Sequence, residues 1–193
     1  MESFELLRQE CYQCSRCDLC RTRTNLVFGD GYEKAPIVFV GEGPGEKEDL
    51  QGIPFVGPAG QLLDVMLQLI GLDRTKAYIC NIVKCRPPLN RDPAPEERAA
   101  CSEWLNRQIE LIDPQIIVCL GRISAISLID PDFRITKEHG KWFRINGRQV
   151  IATYHPSALL RDISKRPEAF ADFREIRSAL RQSGYLPEGK ATI

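Results

Sequence analysis

The stretch Ile37-Val38-Phe39-Val40-Gly41-Glu42-Gly43-Pro44-Gly45-Glu46-Lys47-Glu48-Asp49 decides the fold. Its first four residues form a short apolar run of the kind buried on both faces of a parallel sheet. Glycines follow at the carboxyl end of that run, where a backbone without Cβ atoms lets a ligand come close. Carboxylates come next, where a phosphate-binding loop would place a lysine. The loop therefore reads as a site for something other than a nucleotide phosphate.

The same pattern recurs outward from this stretch. Residues 78–83 and 116–120 are further apolar strands, the second ended by Gly121. Asn146-Gly147 joins residues 141–145 to 149–153 as a hairpin, and His155 follows. Residues 27–28 read as one more short strand. Between these runs lie helical patterns. One begins at Pro58, with Leu62, Leu63, Met66, Leu67 and Ile70 on one face and Gly71 as its stop. Another follows the proline-rich residues 87–95 and turns Cys101, Trp104, Leu105, Ile109 and Ile112 inward. Shorter helices are expected over residues 4–10 and 123–129. A last helix over residues 167–181 turns Phe170, Phe173, Ile176 and Leu180 inward.

This alternation predicts an α/β fold, a three-layer sandwich around a mostly parallel four-stranded central sheet. It predicts a single domain over residues 1–193, with a loose tail from about Gly184. The strand ends at Gly41, Lys84, Gly121 and His155 should gather along one edge.

Lysine plus arginine and aspartate plus glutamate number 26 each, a formal net charge of +0, so any basic face must be local. No apolar run reaches the roughly 18 residues of a membrane span. The first ten residues are polar and lack the apolar core of a secretory signal. A cytoplasmic protein with no membrane partner is the expectation. In that reducing setting the eight cysteines point to metal or cluster ligation rather than disulfides. Cys11, Cys14, Cys17 and Cys20 are spaced C-x2-C-x2-C-x2-C. The last interval is shorter than in the bacterial ferredoxin run, and the following proline is missing. One C-x2-C pair needs two more ligands, and Cys85 and Cys101 are the best candidates. Spacing alone leaves zinc and iron–sulfur both open. Cys80 and Cys119 sit in apolar strands and read as core residues.

Four segments together carry a resemblance: the 41–49 loop, Pro54-Phe55-Val56-Gly57-Pro58-Ala59-Gly60, Asn81-Ile82-Val83-Lys84-Cys85-Arg86-Pro87-Pro88, and His155-Pro156-Ser157. In order and spacing they resemble the family 4 uracil-DNA glycosylases, the iron–sulfur type. The resemblance runs from about Cys14 to the final helix. It implies a monofunctional DNA N-glycosylase of base excision repair, a monomer that hydrolyses the N-glycosidic bond of uracil in single- or double-stranded DNA. It also implies a [4Fe–4S] cluster on Cys14, Cys17, Cys85 and Cys101, with no metal at the chemistry itself.

Such chemistry needs a flipped base in a pocket. Gly41, Glu42 and Gly43 form one wall, and Phe55 is the stacking face. Asn81 lies in an apolar strand, where an unpaired amide is costly. Its amide can accept from uracil N3–H and donate to O4 at once, and cytosine presents the reverse pattern. The resemblance makes His155 the donor to uracil O2. Related uracil glycosylases place an aspartate in the loop where this chain has Gly43. The catalytic acids are then sought among Glu42, Glu46, Glu48 and Asp49. Glu48 is favoured for a role near the base, including refusal of thymine's methyl, with Glu42 as the second candidate. Ser157, Arg161, Lys165 and Arg166 should grip DNA, with Leu159 or Leu160 as a wedge. Lys84, Arg86 and Arg91 could extend the basic face. His139 has no counterpart in these motifs and is expected to be solvated. Two rival readings are an electron-transfer iron–sulfur protein and a protein that traps uracil-DNA covalently through a histidine. The pocket residues argue against the first, and the compact 85–88 segment argues against the second.

Overall fold

A computed structural model describes residues 3–187. The central sheet has six strands: β1 (Asp30–Gly31), β2 (Ile37–Gly41), β3 (Tyr78–Asn81), β4 (Ile116–Leu120), β5 (Trp142–Ile145) and β6 (Arg148–Thr153). Their spatial order is β1-β3-β2-β4-β6-β5. The inner four are parallel, with Phe39 opposite Ile79 and Val118, and Val118 opposite Ile151. The expected four-stranded sheet is this parallel core. Two antiparallel edge strands, β1 and β5, extend it to six.

The strands alternate their side chains between two cores, as period-2 geometry requires. Val38, Val40, Cys80, Ile117, Cys119 and Ala152 face one core. Ile37, Phe39, Ile79, Ile116, Val118 and Ile151 face the other. The first core is closed by α1 (Phe4–Tyr12), α4 (Pro95–Ile112) and α5 (Arg122–Leu128). The second is closed by α3 (Pro58–Leu69), α7 (Pro156–Arg161) and α8 (Arg166–Gln182). Two short helices, α2 (Glu46–Gln51) and α6 (Ile135–Glu138), lie in the connections. No helix among the described residues is long and apolar enough to cross a membrane.

Start signals behave as their chemistry demands. Ser3 caps α1 by accepting from the Leu6 N–H at 3.1 Å. Pro58 and Pro95 occupy the first turns of α3 and α4, where a missing N–H costs nothing. One expectation is corrected. Residues 27–28 are not a strand. The Val27 N–H reaches the Lys84 carbonyl at 2.8 Å, and pairing with β3 starts only at Asp30. Between them lies Gly29, with φ +152, where a Cβ would lie 2.3 Å from the Tyr78 hydroxyl. Of the expected loose tail, residues 188–193 lie outside the described residues. Tyr185 and Leu186 are tied back to the Leu180 carbonyl at 3.0 and 3.1 Å.

Candidate active site and cysteine cluster

Four loops at the carboxyl ends of the parallel strands converge on one cleft of about 540 Å3. Its lining includes Glu42, Gly43, Glu48, Phe55, Asn81 and His155.

Phe55 and His155 form the apolar wall, their rings stacked at 5.6 Å and 30°. Phe55 has a left-handed backbone, with φ 55, and is nevertheless fixed. Arg74 donates to the carbonyls of both Pro54 (2.9 Å) and Phe55, and its Nε is anchored on Asp64 at 2.8 Å. Gly60 completes the clamp, because a Cβ there would sit 1.6 Å from the Phe55 oxygen. Glu48 holds the next turn, its Oε1 accepting from the N–H groups of Val56 (2.9 Å) and Gly57 (2.8 Å). Asp49 is structural: buried, it accepts from Thr24 N–H at 2.9 Å and Asn25 N–H at 3.3 Å.

Gly41 makes room for Asn81 and Phe55. A Cβ there would meet Asn81 Oδ1 at 2.4 Å and the Phe55 ring at 2.6 Å. Asn81 is only 2 % exposed, and its Oδ1 has no hydrogen-bond partner. A buried carbonyl oxygen left unpaired is costly, so this atom awaits a donor within the cleft. The Asn81 backbone is braced from behind. Lys84 Nζ donates to its carbonyl at 3.0 Å and to Gln108 Oε1 at 2.5 Å. Lys84 is therefore buried at 1 % exposure and does not extend a basic surface, correcting that expectation.

His155 is positioned by sterics and tautomer. Gly121, with φ +90, lets its Cβ pack where another Cβ would come within 2.8 Å. The Ser157 N–H donates to His155 Nδ1 at 3.1 Å, and Ser157 Oγ lies 2.8 Å from the same nitrogen. A backbone N–H can only donate, so Nδ1 is the acceptor and the neutral ring carries its proton on Nε2. Burial, and after it the Arg161 guanidinium, pushes the imidazole down to about 4. At neutral pH the ring is thus a neutral donor.

Glu42 behaves in the opposite sense. Burial and then the Asp92 carboxylate push it up to about 7, against the pull of Arg122 and Arg161. Asp92 is itself paired with Arg122. Asp92, Arg122 and Tyr154 line the cleft and were missed in the sequence. Arg122 directly follows the strand-ending Gly121, which was the available signal. Asp92 had none, since it lies in a connection without periodicity.

Of the DNA-gripping set, Ser157, Arg161 and Lys165 line the cleft. Leu159 is corrected: it is fully buried in the second core and cannot serve as a wedge, because the inner face of α7 packs on the sheet. Arg166 is spent on the Leu159 carbonyl at 3.1 Å, and Arg91 grips Glu97 at 2.6 and 2.8 Å. His139 is not solvated. It contacts Asp172 at 2.9 Å and Glu168 at 3.4 Å, under the Tyr154 ring.

On the other face of the sheet, four thiols each receive a donor. Trp104 Nε1 reaches Cys14 Sγ at 3.1 Å, Arg23 Nη1 reaches Cys85 at 3.1 Å, and the Lys84 N–H reaches Cys101 at 3.3 Å. The Leu19 backbone serves Cys17. Hydrogen bonds aimed at sulfur are what cluster thiolates require. Cys80 and Cys119 are core residues, as expected. Among the described residues no three potential ligands converge as they would on a single ion.

The sheet-end cleft thus combines a stacked ring pair, an orphan amide oxygen and a neutral histidine, a lining with the shape and polarity to hold a planar, hydrogen-bonding ring. A family model for the uracil DNA glycosylase superfamily matches residues 28–181. The chain is 50% identical over 184 residues to a type-4 uracil-DNA glycosylase of Archaeoglobus fulgidus, covering 91% of this chain and 92% of that protein. Type-4 uracil-DNA glycosylases of Sulfurisphaera tokodaii (47% identical; 92% of this chain, 84% of that one) and Thermotoga maritima (45%; 95% and 97%) are similar over comparable lengths. The chain belongs to the uracil DNA glycosylase superfamily.

Proposed function

We propose that this protein is a uracil-DNA glycosylase of the type-4 kind, a monofunctional N-glycosylase that leaves an abasic site. The observation that carries the reading is the unpartnered, buried Asn81 Oδ1 beside the Phe55–His155 stack. Uracil slides along Phe55, gives its N3–H to Asn81 Oδ1 and takes the amide N–H at O4. The backbone of Gly41, Glu42 and Gly43 closes the remaining edge.

In the reaction the C1′–N1 bond breaks and its electron pair leaves with the base. Negative charge gathers on uracil O2, where the His155 Nε2–H donates. Such a donor is worth about 3–4 kcal/mol when preorganised in a dry site. Water forms the new bond to C1′ and passes its proton to the Glu42 carboxylate. Glu48, with Oε1 already engaged, is a positioning residue that fixes Phe55 through the following turn. Ser157, Arg161 and Lys165 hold the phosphates.

Cys14, Cys17, Cys85 and Cys101 would hold a [4Fe–4S] cluster, and the donor at each sulfur supports that set over Cys11 and Cys20. When bound, the cluster is structural, joining the loop after α1 to α4. The proposed reading is completed by a single-domain monomer that acts in the cytoplasm, with every site residue supplied by one chain.

Uracil-containing single- and double-stranded oligonucleotides, incubated with the protein and then treated with alkali, provide the test. Strand breaks at uracil are expected, and their absence from both substrates overturns the reading. Serine at Cys85 or Cys101 should abolish the brown absorption, and two brown variants would refute the ligand set.

A further inference from the structure

We infer that Leu89 is the residue this enzyme inserts into duplex DNA when uracil leaves the stack. The residue is 96% exposed, the most exposed large hydrophobic among the described residues. A single exposed leucine is ordinary on a protein surface. Its backbone is what sets this one apart.

Leu89 has φ 55 and ψ 21, and Asn90 follows with φ 54. Two successive residues with Cβ atoms in the left-handed region are disfavoured, and persist only where surrounding contacts enforce them. Pro87 and Pro88 fix the approach. The Asn90 N–H closes on the Pro87 carbonyl at 3.0 Å and the Arg91 N–H on that of Pro88 at 3.2 Å. Arg86 Nε holds Asn90 Oδ1 at 2.8 Å, and Arg91 is clamped to Glu97. The tip is thus a stiff turn that holds an aliphatic side chain out in water.

Its position supplies the partner. Pro87, Asn90, Arg91 and Asp92 all line the cleft that contains Asn81 and His155. Leu89 therefore stands on the rim of the base pocket. Flipping a base leaves a gap in the stack, and apolar side chains that enter such gaps offset the lost stacking. Of the two leucines expected from sequence to serve as the wedge, Leu159 is buried, and Leu160, 42% exposed, is not among the residues that line the cleft. The inference rests on the uracil-excision reading and adds the means by which a paired base is extracted.

Only a duplex has an opposing stack to hold open, so the test compares strand contexts. Wild type, Leu89→Ala, Leu89→Gly and Leu89→Met would be assayed on one uracil sequence as single strand and as duplex, with thermal unfolding of each variant alongside. The ratio of duplex to single-strand kcat/KM should fall at least about tenfold in the Ala and Gly variants, the scale of one unstacked step. Methionine, similar in volume, should keep the ratio within about threefold of wild type. An unchanged ratio in Ala and Gly variants that unfold at the wild-type temperature would overturn the wedge and leave Leu89 as a contact for another protein. A wild type that releases uracil from neither substrate would instead defeat the glycosylase reading, and the wedge with it.

Discussion

Asn81 Oδ1 is buried and unpaired, and in the proposed reading it is the atom on which base choice turns. Asn81→Ala removes both the acceptor for N3–H and the donor for O4. A buried base left with unmatched polar groups costs about 1–3 kcal/mol, so kcat/KM for uracil should fall roughly tenfold to a hundredfold. Steady-state rates on uracil oligonucleotides check this, and a loss below threefold would remove Asn81 from base recognition. The pH profile isolates Glu42. Its carboxylate is the active form and titrates at about 7, so kcat/KM should rise with pH through about 7 and level off above it. Glu42→Gln should lower the plateau and erase that limb. His155 stays neutral down to about 4 and adds no limb near neutrality. The linkage signs differ. Glu42, raised in the fold, contributes stability below its ordinary pKa that is lost as pH rises through about 7. Glu42→Gln should therefore raise the melting temperature relative to wild type at pH 8 but not at pH 4. His155, lowered in the fold, contributes stability above its ordinary pKa that is lost as pH falls through about 4.

The decisive elements are short. The turn between α2 and α3 presents Phe55 only because three parts interlock: Glu48 from α2, Arg74 from beyond α3, and the bare Cα of Gly60 within it. Gly60→Ala should push the Phe55 carbonyl off its seat. Overpacking of this kind costs about 1–3 kcal/mol, and the ring that moves is the stacking face. Thermal unfolding and uracil release should both decline. A variant with wild-type melting and activity would show that the turn relaxes freely. The segment from Cys14 to Arg23 is also interlocked, since its Arg23 donates to Cys85 on the far side of the sheet end.

At the scale of the molecule, four parallel strands end together and deliver residues from opposite ends of the chain to one cleft. Net charge is +0, yet Arg91, Arg122, Arg161 and Lys165 ring the opening. DNA binding should therefore depend on salt. Arg161→Gln and Lys165→Gln should each reduce the slope of log K against log salt by about 1, uniformly across sequences. Fluorescence anisotropy at several salt concentrations measures it, and unchanged slopes would place the phosphate contacts elsewhere.

The parallel core was legible because residues 37–40 and 116–120 are apolar at every position, too short for a helix and each ended by a glycine, as suits a strand covered on both faces. The place of Asn81 and His155 in the cleft was legible because Asn81 interrupts one apolar strand and His155 follows the end of another. Edge strand β1 was not legible: two residues, Asp30 and Gly31, carry no periodicity, and their pairing depends on where β3 lies. Burial of Leu159, Lys84 and His139 was hidden for a related reason. Sequence shows that a leucine, a lysine or a histidine is present, but only packing decides whether its neighbours are solvent, Gln108 or Asp172. The chain's local chemistry thus determined the sheet core, the glycine-lined loop and the position of Asn81 at the strand end. The Asp92–Arg122 setting of Glu42, the tautomer of His155 and the exposed tip at Leu89 were decided by tertiary structure. The first arises from contacts between segments far apart in sequence, whereas the other two arise from close-range contacts, Ser157 to His155 and Asn90 to Pro87, whose geometry carries no periodic signal.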